Sequence, residues 1–216
     1  MLGSPGIAMV VNGWIFVDPE GNPLDTVQPW QDHPADPDLA YWLLGLPFVV
    51  HGAMLRRDKL AEIGQFDETL KASEDWDLFI RLAASESDMV WGHKIVCTYR
   101  IHQQNMTRSG RRLLDKIRVL DKYYAATTNV DAHIRATAYA SAWLQVANTF
   151  YMSGETAEAQ ACIHHAIEAC PELLHQDSNG LRVVIRNWTL DPRVASPLDH
   201  LELVLANLPG DVGLSE

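Results

Sequence analysis

The hydrophobic period of this chain changes once, near residue 110, and that change limits the folds open to it. Before it, short apolar runs end at turn-forming residues. Ile7-Ala8-Met9-Val10-Val11 and Trp14-Ile15-Phe16-Val17 read as strand, stopped by Asp18-Pro19-Glu20-Gly21-Asn22-Pro23. From Arg111 to Cys170 apolar residues fall at helical spacing and no strand candidate occurs. The expectation is an α/β region over residues 1–110, then an all-α region over residues 111–216.

Finer reading places elements along both regions. Residues 25–38, rich in proline and acidic or amide side chains, are expected as a surface loop. A short helix is expected over 39–46. A buried extended run, Phe48-Val49-Val50, then delivers His51 and Gly52. Residues 57–63 read as a helix stopped by Gly64, and Ser73 as the N-cap of a helix over 74–84. Residues 95–102 alternate as a strand, whereas 103–107 show no period.

Composition sets outer limits. A chain of 216 residues, 47% of them hydrophobic, buries one or two cores without disulfide staples or a structural metal. A net charge of −11 repels nucleic-acid phosphates and anionic lipid surfaces. Cys97, Cys162 and Cys170 form neither an even framework nor a CxxC pair, the usage expected of reduced thiols in a cytoplasmic protein. Pro5, Asn12 and Asp18 interrupt the first apolar run, so neither signal peptide nor membrane span is expected.

Glu74 and Asp75 open their helix where carboxylates meet the positive end of the macrodipole, an arrangement that stabilises by about 0.3–1 kcal/mol per charge. An acidic helix start needs no further reason. The flanking segments carry more information. His51-Gly52-Ala53-Met54-Leu55-Arg56-Arg57, then Ile63-Gly64-Gln65-Phe66-Asp67-Glu68, then Ser73-Glu74-Asp75-Trp76-Asp77-Leu78-Phe79-Ile80-Arg81-Leu82-Ala83 stand in one order and close together. They resemble a continuous block of family 2 glycosyltransferases with the GT-A fold, with Gln65 where the family usually has a second glycine.

That resemblance implies transfer of a sugar, with inversion, from a nucleotide-sugar donor to a hydroxyl of a carbohydrate or glycolipid acceptor. Asp75 matches the catalytic base and Glu74 its support. A hydroxyl is too weak an acid to ionise near neutral pH, so a positioned base must take its proton. His51, Gly52 and Trp76 fall on the acceptor side. Asp77 is at most an orienting group there, with solvation or capping as the alternative. Tyr99-Arg100-Ile101-His102 resembles the strand end whose histidine joins DxD aspartates around Mn²⁺ or Mg²⁺, which makes His102 the metal ligand. Arg100, Asn105, Thr107 and Arg108 are then donor contacts.

In the family layout a nucleotide-binding strand and a DxD precede the hairpin that residues 7–24 resemble, and residues 1–24 contain no DxD. The chain is therefore expected to be the acceptor-side half of such an enzyme, inactive or weak without its other half. An exposed sheet edge, and a homodimer formed through it, follow from that expectation. The competing reading is a non-catalytic protein-binding or assembly module. It draws on Trp143, Val146, Ala147, Phe150, Gly154, Ala159, Ile163, Ala166 and Pro171, which fall at the offsets of one tetratricopeptide-like hairpin over about 140–173. Cys162, His164, His165, Cys170 and His175 lack a four-ligand spacing and are expected to pack or face solvent.

Overall fold

The computed structural model describes residues 6–35, 37–45, 48–85, 87–102, 105, 109–127 and 131–171. It has the expected fold class, a mixed sheet with helices followed by helices alone. Two compact units are present. The first holds residues up to 42, 46–70 and 74–105; the second holds 43–45, 71–73 and the chain from 106 onward.

The first unit is organised by strand β1 (Ile7–Val17), whose apolar run is buried on both faces of the sheet. Along one edge it pairs in parallel with β4 (Asp88–Arg100). Its other edge is shared by two antiparallel strands, β3 (Ala53–Leu55) against Met9–Val11 and β2 (Pro23–Val27) against Trp14–Val17. β1 is thus paired with β2, β3 and β4, and the carboxyl ends of β1 and β4 finish side by side, with Val17 opposite Arg100.

β2 was not legible as a strand. Its residues Pro-Leu-Asp-Thr-Val are nearly all exposed, so no apolar alternation marks them. Backbone pairing holds the strand instead, together with a turn in which the Asp18 carboxylate accepts from the Asn22 amide and the Asn22 side chain, both at 2.7 Å. Helix α1 (Pro29–Asp32) follows. Residues 25–38 thus combine a strand end and a helix rather than forming one loop.

β4 begins earlier than its alternating pattern shows. It runs from Trp91 to Cys97 while β1 advances only from Val11 to Trp14, a bulge in which His93 adopts φ 54°. Bulges of this kind bend a strand and re-aim its side chains. Gly92 sits in it because a Cβ there would lie 2.1 Å from Asn12 Oδ1.

Helix α2 (Leu39–Leu43) is shorter than expected, and Val50–Gly52 is a 3-10 turn rather than the end of an extended run. Helix α3 (Arg57–Glu62) ends as predicted before Gly64, which adopts φ 81°. Helix α4 (Glu74–Ala84) buries Trp76, Leu78, Phe79, Ile80 and Leu82. Its Phe79 ring lies 4.9 Å from Phe48, and Trp42 joins Phe48 at 5.6 Å and Trp91 at 6.3 Å, so aromatic packing forms much of this core.

The second unit contains α5 (Gly110–Leu113), α6 (Asp115–Ala126), α7 (Ala132–Met152) and α8 (Thr156–Ala169). Asp131 caps α7 by accepting from the His133 and Ile134 amides. A turn through Gly154, at φ 79°, folds α8 back on α7, and Val146, Ala147, Phe150, Ala159, Ile163 and Ala166 close the seam. Cys162 lies in that seam, where burial and then the Glu158 charge push its thiol up to about 11. The Trp143 ring packs at 4.6 Å on His165.

Asp115, 7% exposed at the start of α6, serves this unit as a clamp. Its Oδ2 accepts from the amides of Lys71 at 2.6 Å and Ala72 at 3.1 Å, and its Oδ1 from Arg118 at 2.8 Å. Burial alone would raise this carboxyl, but the Lys71 amide, Arg118 and the Ala72 amide together hold it below its ordinary value. A depressed carboxyl stabilises the fold above its unfolded pKa and loses that contribution as pH falls through its folded pKa. Asp115→Asn should therefore cost about 2 kcal/mol near neutral pH, the scale of charge-assisted bonds. The difference from wild type should shrink below about pH 4, the ordinary range for Asp. Urea titrations at pH 7 and pH 3 check both statements; equal stability of the two proteins at pH 7 contradicts the clamp.

Candidate functional site

Helix α4 starts abruptly. Ser73 adopts φ 62°, a left-handed conformation, instead of the extended backbone usual at an N-cap. Backbone of that kind costs of order 1–3 kcal/mol and persists where its surroundings impose it. Glu74, Asp75 and Asp77 then fill the first turn. Glu74 and Asp75 are half-buried, and the Asp75 Oδ1 accepts from the Trp76 amide at 2.7 Å, which fixes the carboxylate against the helix start.

The next two residues, placed on the acceptor side by resemblance, are buried in the core. Trp76 is 1% exposed and its indole N–H donates to the Trp42 carbonyl at 2.7 Å, tying α4 to α2. Asp77 is 3% exposed, and its Oδ2 takes Nη2 and Nε of Arg81 at 2.7 and 2.9 Å. It is not a solvated group. Arg81 goes on to donate to the carbonyls of Ile63, Gly64 and Gln65 at 2.6, 3.1 and 2.9 Å. Sequence reasoning missed Arg81, although its spacing of four from Asp77 was a signal for the pair.

The 3-10 turn Val50–Gly52 lies against both β1 and β4. Gly52 is required there because a Cβ would stand 2.8 Å from the Asn12 carbonyl oxygen. The preceding His51 is exposed, its ring T-shaped to that of Tyr99 at 6.3 Å between centroids. Tyr99 in turn packs on Phe16 at 5.6 Å. Phe48, three residues before His51, is the ring on which Phe79 rests, one turn along α4 from Asp75. Packing therefore connects helix α4 to the turn that carries His51.

At the end of β4 the structure gathers several of the candidate residues. Arg100 Nη1 donates to the carbonyls of Asp18 at 3.3 Å and Pro19, so this guanidinium braces the β1–β2 turn, a task that sequence did not suggest. His102 lies beyond the strand and is exposed. Its amide donates to Asn105 Oδ1 at 2.6 Å, while Asn105 Nδ2 donates to the Tyr99 hydroxyl and to the Arg100 carbonyl, both at 3.1 Å. Tyr99 is thus a residue of this corner in its own right. Thr107 and Arg108 lie outside the described residues.

For a divalent ion the corner offers one imidazole. Among the described residues no three His, Cys, Asp or Glu converge as a metal site, so these side chains do not make one by themselves. No helix among the described residues is long and apolar enough to cross a membrane.

No curated protein and no solved structure matches the chain. Residues 46–145, a little under half of the chain, match the family described as Glycosyltransferase like family 2. The matched stretch contains the His51 turn, the Glu74–Asp75 helix start and the β4 corner, so these residues belong to a domain similar to that glycosyltransferase family.

Proposed function

We propose that this chain carries the acceptor side of an inverting glycosyl transfer, with Asp75 as the general base. The observation that carries the reading is the division of labour in one helical turn. Trp76 and Asp77 are consumed by the core, and Asp75 remains as a half-buried carboxylate locked to its own helix start, inside the stretch that matches the family. A nucleotide sugar is the donor, and a carbohydrate or glycolipid hydroxyl the acceptor.

In the step, the acceptor oxygen bonds to the anomeric carbon as the bond from that carbon to the diphosphate oxygen breaks. The acceptor proton passes to Asp75, and the nucleoside diphosphate leaves with the electron pair. Glu74 supports the base from the same helical turn. His102 is the one candidate ligand here for Mn²⁺ or Mg²⁺, which when bound would screen the diphosphate charge. His51, exposed beside Tyr99, faces solvent where an acceptor can reach it.

Single displacement dictates the product. An α-linked donor should yield a β-linked glycoside, which the anomeric proton coupling in NMR reads directly after turnover of a panel of nucleotide sugars. A product that keeps the donor's configuration overturns single displacement with Asp75 as base, and absence of turnover across donors and acceptors favours the binding-module reading.

A further inference from the structure

The corner after β4 is built around one carboxamide. Asn105 has one acceptor oxygen and two N–H donors to spend. Its Oδ1 takes the His102 amide at 2.6 Å, and its Nδ2 gives to the Tyr99 hydroxyl and the Arg100 carbonyl at 3.1 Å each. Its backbone N–H also returns to the His102 carbonyl at 3.2 Å. The orientation is fixed by these partners, since the reverse flip would set an NH₂ against the His102 N–H. Both side-chain donors are therefore spent inside the protein, which is the wrong state for a phosphate contact.

Tyr99 extends the arrangement. Its hydroxyl accepts from Asn105, its ring leans on Phe16 in the core, and it forms a T-shaped pair with the ring of His51. One side chain thus refers His102, outside the strand, to a residue anchored within the sheet. His51, from a segment fifty residues earlier, is referred to the same ring.

We propose that Asn105, with Tyr99, is a positioning residue that fixes where the His102 side chain leaves the end of β4, and that it makes no contact with the donor. The proposal deepens the glycosyl-transfer reading and rests on it for the task of His102. Geometry alone carries the positioning.

The test compares Asn105→Ala with Asn105→Asp in the full chain, folding being checked by thermal melts. Aspartate keeps the oxygen that accepts from His102, and the Tyr99 hydroxyl can turn to donate to its second oxygen, while the bond to the Arg100 carbonyl is lost. Beside a diphosphate the same carboxylate would repel. Amide hydrogen exchange at His102 should accelerate about ten-fold in Asn105→Ala, the loss expected for one net hydrogen bond. It should return to about the wild-type rate in Asn105→Asp, and the KM for the donor should follow the same order. Unchanged His102 exchange in Asn105→Ala overturns the proposal. So does a donor KM worse in Asn105→Asp than in Asn105→Ala once the exchange has recovered, because that pattern marks direct contact. Should the alanine variant fail to fold, Tyr99→Phe, which removes one hydroxyl, supplies the comparison: faster His102 exchange supports the link, and unchanged exchange removes it. The exchange readout needs no substrate, so it stands or falls separately from the glycosyl-transfer reading.

Discussion

Replacing Asp75 by asparagine should reduce kcat for sugar transfer by about 10²–10⁴-fold, the contribution of a positioned general base. The substitution is nearly isosteric, and the amide oxygen can still accept from the Trp76 N–H that Asp75 Oδ1 holds at 2.7 Å. Helix α4 should keep its start, and the thermal midpoint should change little. KM should change much less than kcat, because the proton moves only in the transition state. Glu74→Gln, which leaves the base in place, should cost less than Asp75→Asn. Asp75→Glu tests placement: it restores the charge but displaces the oxygen by one methylene, so partial recovery is expected. Turnover by Asp75→Asn equal to wild type would remove Asp75 from the chemistry and leave the acidic turn as a helix-start device.

Much of the frame was legible in the sequence because it rests on local pattern. β1 is an apolar run between glycine-rich and proline-rich stops, α4 repeats its large apolar residues at helical spacing, and the switch to helices after residue 110 is a change of period. What local pattern cannot show is the partner of a side chain. Asp75 and Asp77 are two acids in one helical turn, and only the fold separates them by bringing the Ile63–Gln65 carbonyls to Arg81. Trp76 falls on the acceptor side by resemblance, and nothing in the sequence shows that its indole meets the Trp42 carbonyl.

Other failures have the same origin. β2 is exposed and held by backbone pairing, which leaves no trace in side-chain alternation. Ser73 has the composition of a cap and a backbone that departs from one, since φ 62° is imposed by the fold rather than by residue type. The polar residues at the β4 end are donor contacts by resemblance alone, and residue type says nothing of the partners they have inside the protein. Arg100 and Asn105 hold the protein's own carbonyls and amides, and only their hydrogen bonds reveal it.

The second large effect should come from Arg81, and it should appear as stability. Arg81→Ala leaves the Asp77 carboxylate, 4% exposed in its side chain, buried without the guanidinium that faces it at 2.7 Å. Breaking a buried pair by removing one partner typically costs 3–5 kcal/mol; Arg81 is itself 24% exposed, so about 3 kcal/mol is expected. The three carbonyls of residues 63–65 lose their shared donor at the same time. Asp77→Ala should cost less, because the partly exposed guanidinium that remains keeps the Ile63–Gln65 carbonyls and meets water. Arg81→Lys should recover little, since one ammonium cannot span a carboxylate and three carbonyls that the planar fork reaches together. Removing both partners should cost less than the sum of the single losses, by a coupling of about 1–3 kcal/mol in a double-mutant cycle. Urea denaturation of the four proteins measures each quantity. An Arg81→Ala protein within about 0.5 kcal/mol of wild type, the range of ordinary surface substitutions, would show that the clamp between α3 and α4 does not hold the helix that carries Asp75.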